Sequence, residues 1–192
     1  MELAIPLTKF TPTNVHWGVP RSGAFRRTIP FLYEDNQTTF TSLVLVLQPL
    51  RVVEYDAERN QLVLEDVKRT QTAFNKLELL QTTVSQALDK HARVWLEGSP
   101  YPKDGAQPIQ PWVRNRRITV HLSSQKELMP MFNETGKIEV TADSLKPGTF
   151  LRLVVKLQGL SLQMSADDVW TGKSRIQHHV LQIYQVDHEA TD

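Results

Sequence analysis

Hydrophobic positions in this chain change period three times, and each change marks an element. Residues 1–37 show no sustained period, and prolines at 6, 12, 20 and 30 interrupt them. They are expected to form an irregular N-terminal arm, which lies on the domain or closes over a ligand. Thr38 to Val53 reads as a strand. Its centre, Ser42 to Leu47, is apolar on both faces, as in a central strand. Pro49 permits only an edge, a bulge or a break. Glu54 to Asn60 is a polar turn, and Gln61 to Val67 returns to complete a hairpin. Over Thr70 to Leu96 the apolar positions Ala73, Leu77, Leu80, Val84, Ala87 or Leu88, His91 and Val94 recur at spacings of three and four. That spacing predicts one long helix, which Gly98-Ser99-Pro100 stops. His91 is expected to be a packed histidine, and Trp95 a packing residue.

Beyond the helix the pattern returns to strands. A Pro-rich loop runs from Tyr101 to Pro111. Strands are predicted at Ile118–Leu122, Lys137–Val140, Thr149–Gln158 and Arg175–Val186, with a loop over Ser161–Lys173. Thr149–Gln158 alternates cleanly: Leu151, Leu153, Val155 and Leu157 point one way, and Arg152, Val154, Lys156 and Gln158 the other. Six or seven strands plus one helix make the chain mainly β. A closed or partly closed barrel with one covering helix fits that count. No linker composition divides residues 38–192, so they are expected to be one domain behind the arm.

Composition narrows the chemistry. The 192 residues contain no cysteine, which removes disulfides, thiolate metal sites and cysteine catalysis. No apolar run exceeds Leu43 to Leu47, far short of a membrane-spanning helix. Met1 to Pro6 lacks the basic start and apolar stretch of a secretory signal, so an intracellular, reducing location is expected. Gly172-Lys173-Ser174 resembles the end of a phosphate-binding loop. However, Asp167 stands where that motif needs glycine, and strand rather than helix follows. His178-His179 would face opposite sides of a strand, with His121 the one further candidate ligand, so no metal is expected. Asp167-Asp168 reads as a solvated turn rather than a two-metal nuclease site. No nucleophile is paired with a base, so the chain is read as a non-enzyme without a cofactor.

Charge supplies the positive signal. The net charge is +1, from 22 Lys+Arg against 21 Asp+Glu, but it is unevenly spread. Residues 1–30, 99–126 and 146–176 carry +3, +4 and +3, while the three blocks between and after them carry −3 each. The basic blocks hold Trp17, Trp112 and Trp170. Cations interleaved with rings suit a single-stranded nucleic acid, because cations neutralise phosphates and rings stack on unpaired bases. The candidate contacts fall into four sets: Tyr101 with Lys103; Trp112 with Arg114, Arg116 and Arg117; Arg152 with Lys156; and Trp170 with Lys173 and Arg175. Arg152 and Lys156 lie roughly 13 Å apart along their strand, about two steps of an extended single strand.

The element order (hairpin, long helix, Pro-rich loop, further strands, two long closing strands) resembles the OB-fold single-stranded DNA-binding proteins of lytic bacteriophages and of large DNA viruses of eukaryotes. The local resemblance is strongest from Gly148 to Val186, where a basic amphipathic strand precedes a loop holding Trp170-Thr171-Gly172-Lys173 and a closing strand. The resemblance implies an OB-like Greek-key barrel that binds single-stranded DNA, or RNA, irrespective of sequence. It also implies a role in DNA replication, recombination or repair, with Arg152, Lys156, Trp170, Lys173 and Arg175 on the DNA. Replication proteins and further copies of the chain are its expected partners. The apolar positions Phe25, Ile29 and Phe31 of the arm are the candidates for self-association. The phage proteins end in a long acidic tail that recruits polymerase. Asp187 to Asp192 offers three acids, so recruitment through a tail is not expected. The competing expectation is a viral structural or assembly protein of β-sandwich type, whose aromatics anchor interfaces.

Overall fold

In the computed structural model, residues 3–101 and 109–187 are described. The chain is mainly β. Its strands are β1 (Leu3–Pro6), β2 (Val15–Trp17), β3 (Arg21–Gly23), β4 (Arg26–Asp35), β5 (Thr38–Phe40), β6 (Leu43–Val46), β7 (Leu50–Asp56) and β8 (Gln61–Glu65), then β9 (Val113–Arg114), β10 (Arg117–His121), β11 (Met131–Asn133), β12 (Gly136–Ile138), β13 (Phe150–Met164) and β14 (Trp170–Val186). Among the described residues one α-helix, α1 (Gln71–Trp95), sits between β8 and β9.

β13 organises the sheet. One edge pairs along its length with β14. The other edge meets three strands in succession: β7 at Phe150–Leu151, β6 at Val154–Leu157 and β4 at Gly159–Gln163. Register shifts after Val154, Leu157 and Leu162 bend the β13–β14 ribbon, as bulges do. Gly159 makes the β4 junction possible, because a Cβ there would stand 2.2 Å from the Ile29 carbonyl oxygen. The path continues from β7 through β8 to β10. Among the described residues no backbone ladder joins β10 to β14, so the mixed sheet is open at that seam.

The inward row of β13 is as the alternation predicts: Leu151, Leu153 and Val155 are fully buried, and Leu157 nearly so. α1 matches its predicted span to within a residue at each end. Thr70 Oγ1 accepts from the Val67 N–H (2.9 Å) where the helix begins. Beyond Trp95 the positive φ of Glu97 and Gly98 turns the chain away. The apolar stripe runs through Leu88 to Trp95, leaving Val94 69 % exposed. His91 stacks on Trp95 with ring centroids 4.8 Å apart. No helix among the described residues is long and apolar enough to cross a membrane.

Three expectations change. Residues 3–37 are not an irregular arm: they contribute β1 to β4, and Phe10, Ile29, Phe31 and Tyr33 are buried in the common core. β4 alternates strictly, but Pro30 within it, after prolines at 6, 12 and 20, disguises it. Pro30 is tolerated because its neighbour across the ladder is the bulge-region Gly159. Ile29 and Phe31 are thereby committed within the chain and unavailable for self-association. The expected strand Thr38–Val53 is three strands, β5, β6 and β7, broken at Ser42 and around Pro49. The expected loop Ser161–Lys173 is mostly hairpin. Only the segment around Asp167 and Asp168 turns, held by Ser165, whose N–H donates to the Val169 carbonyl (2.7 Å).

Candidate nucleic-acid interface

The seam between β10 and β14 is where the basic segments meet. The two strands approach without pairing. The His121 N–H donates to His178 Nε2 (3.1 Å), and His178 Nδ1 lies 3.2 Å from the Ile176 carbonyl. Those two partners require a neutral ring with its proton on Nδ1. Burial, with the repulsion of His121, Arg175 and His179, pushes the His178 pKa down to about 4. Burial and Arg175 also lower that of His121. The His178 ring lies against His121 and Trp112, at centroid distances of 5.9 and 5.5 Å. From the other side, Ile109 bridges to Ser174, and the Gln110 N–H donates to the Ser174 carbonyl (2.8 Å). Gln81 on α1 fixes the next residues: its Oε1 accepts from the Trp112 and Val113 N–H groups (2.7 and 2.8 Å), and its Nε2 donates to the Val113 carbonyl.

A groove crosses this seam. At one end an open concavity of about 690 Å³ is lined by Phe25, Arg26, Lys173 and Arg175, with Gln110 and Gln163. At the other a concavity of about 550 Å³ is lined by Arg114, Asn115, Arg117 and Glu65. The narrow cleft over His178 shares Gln110 and Arg175 with the first, and Pro111, Trp112 and Thr119 with the second. The three therefore adjoin, the cleft sharing walls with each concavity. Among the described residues, Arg26, Arg114, Lys173 and Arg175 have no ion-pair partner. Glu65 is the one carboxylate among the described lining residues, and it faces Arg117 at 3.8 Å while accepting from Arg51 Nε at 2.8 Å. Lys173 and Arg175 are both exposed and two residues apart on β14, about 7 Å along the strand.

The predicted site residues separate into four groups. Arg114, Arg117, Lys173 and Arg175 come together on the groove. Trp112 and Trp170 are in the core, 4 and 5 % exposed, and present no open face to a base. Trp170 Nε1 donates to the Lys173 carbonyl (3.0 Å), and its ring stacks on Tyr101 at 5.8 Å. Tyr101 in turn donates its hydroxyl to Asp89. Burial first, then that carboxylate, raise its pKa. Arg116 turns inward, bridging Asp66 through Nε (2.8 Å) and Nη2 and Asn75 (3.3 Å), and lying 5.7 Å over Phe74. Arg152 sits on a different concavity, beside Val154, Phe132 and Tyr184, which shares no lining residue with the groove. Lys156 follows on the same outward row of β13. Lys103 lies outside the described residues.

Two groove residues are not among the expected nucleic-acid contacts. Arg26 belongs to the first basic block, whose charges carried no assignment. Phe25, grouped with Ile29 and Phe31 as a candidate for self-association, shares the parity of the buried positions Ile29, Phe31 and Tyr33. The tight turn between β3 and β4 puts it outside, 65 % exposed. Among the described residues no three histidines or carboxylates come together as a metal would require. No protein-family model matches the chain, and no curated protein matches its sequence.

Proposed function

We propose that the protein binds single-stranded nucleic acid, DNA in the first instance, along the groove that crosses the β10–β14 seam. The observation that carries this reading is the row of adjoining concavities lined by the unpaired cations Arg26, Arg114, Lys173 and Arg175. Unpaired, exposed cations along one track suit a polyanion, whereas cations that stabilise the fold are committed to carboxylates or carbonyls. Phosphates meet the unpaired Arg26, Lys173 and Arg175 at one end and Arg114 at the other, where Arg117 exchanges its long 3.8 Å pairing with Glu65 for a phosphate. Readout is by charge and is therefore largely independent of sequence. The curled path β14–β13–β7–β8–β10, whose ends approach at His121 and His178, supports reading the sheet as an OB-like barrel with the site at its seam. A role in DNA replication, recombination or repair follows from that activity.

The test is a fluorescence titration of labelled oligo-dT of about 30 nucleotides, several times the span one such domain covers. Duplex DNA serves as competitor. Five phosphate contacts at about 0.7 counterions each predict roughly 100-fold weaker binding at 200 mM than at 50 mM salt. Binding that duplex abolishes as readily as single strand, or that ignores salt, would defeat the reading.

A further inference from the structure

We infer that Phe25 is the base-stacking residue of the groove, held there at a conformational cost by the β3–β4 turn. This rests on the groove reading above. The turn has two central residues, Ala24 and Phe25, between the paired ends Gly23 and Arg26. Phe25 adopts φ +58, a left-handed conformation that turns of this kind reserve for glycine or asparagine. A bulky aromatic there is a genuine outlier.

Of the other long side chains with positive φ, Arg116 grips Asp66 and Glu97 pairs with Arg27, while Gln37 is an exposed polar residue in a hairpin turn. The Phe25 ring makes no ring contact among the described residues. The backbone holds the turn down without it, since the Phe25 carbonyl accepts from the Met164 N–H (3.0 Å). No aromatic partner therefore ties this side chain to the core, and the turn would be easier with glycine. What the ring supplies is an open aromatic face in the same concavity as Arg26, Lys173 and Arg175. A flat apolar surface flanked by three cations fits an unstacked base between phosphates. The buried Trp112 and Trp170 cannot offer such a surface. Strain of this kind persists where function requires it. Phe25 thus gives the groove its preference for nucleic acid over other polyanions.

The experiment compares wild type with F25G and F25W on two ligands: oligo-dT, and inorganic polyphosphate, which has charge but no bases. F25G is expected to bind oligo-dT at least about 5-fold more weakly. Its affinity for polyphosphate should stay within twofold of wild type, and its Tm should rise by about 2–4 °C. F25W should bind oligo-dT at least as tightly as wild type. If wild type binds oligo-dT with the expected salt dependence and F25G binds it equally well, the groove stands and the role of Phe25 falls. Equal weakening on both polymers, or a lowered Tm, would equally overturn it by making the ring a packing residue. If wild type binds neither polymer, the groove reading fails first and this inference with it.

Discussion

Arg26 and Arg27 are neighbours in sequence and opposites in use. Arg27 is 7 % exposed at the shoulder where β4 meets the end of α1. Its Nη1 donates to the Trp95 carbonyl (2.9 Å), its Nε and Nη2 to Ser22 Oγ (both 3.3 Å), and it pairs with Glu97. Arg26 points to the opposite face of the strand, onto the groove, with no ion pair among the described residues. The 114–117 segment repeats the contrast, with Arg116 committed to Asp66 and Arg114 uncommitted. Shoulder and groove thus draw on the same residue types from the same short segments. Strand alternation and one positive-φ turn, not composition, decide which cation holds the fold and which waits for a ligand.

The contrast can be broken most forcefully at the shoulder. Arg27→Ala removes a charged donor from a buried carbonyl, and urea denaturation should show a loss of about 3 kcal/mol. The folded fraction should bind oligo-dT as wild type does. A binding defect without a stability defect would reverse the assignment.

Acid tests the floor of the groove. His178 has a folded pKa of about 4, below the roughly 6.5 of an unfolded histidine. The unfolded chain therefore takes up the proton first. This stability is fully present above pH 6.5 and is lost as pH falls towards 4, by up to roughly 3 kcal/mol. Unfolding free energies measured across that window should fall with acid in wild type and fall less in His178→Gln. Identical slopes would show that the ring does not titrate with unfolding.

On the groove itself, the double variant Lys173→Ala/Arg175→Ala removes two phosphate contacts. Oligo-dT affinity at 0.1 M salt should fall about 25-fold, and the salt slope should shrink by about 1.4. Chemical stability should stay within about 0.5 kcal/mol of wild type, because both side chains are exposed. The smallest effect belongs to Arg152→Ala, on the separate concavity beside Tyr184. Its affinity should change by less than about 3-fold. A loss as large as that of the double variant would extend the binding track along the β13–β14 ribbon.

Much of the fold is legible from local pattern. The period of α1, the alternation of β13 and the β7–β8 hairpin each follow from spacing within one segment, where neighbouring side chains settle burial. The first 37 residues are not legible that way. The alternation of β4 is real, but Pro30 makes it resemble a loop until Gly159 of β13 is known to lie across from it. The site divides similarly. The basic blocks hold Arg114, Arg117, Lys173 and Arg175, which line the adjoining concavities. They also hold Arg116, whose partner Asp66 lies fifty residues earlier, and Trp112, which α1 anchors through Gln81.

By itself, then, the sequence determined the β-rich class, the single long helix, the inward row of the central strand and the segments that carry positive charge. Those are properties of residues near one another in the chain, fixed by side-chain period and by charge. Long-range packing settled which cations lack ion-pair partners, which rings are buried and where the basic segments converge. Exposure depends on what arrives from elsewhere: Glu97 beside Arg27, Tyr101 over Trp170, His121 against His178. The fold also decided that an aromatic with the parity of a core residue stands in solvent, because a turn of two residues reverses the direction its strand would have given it.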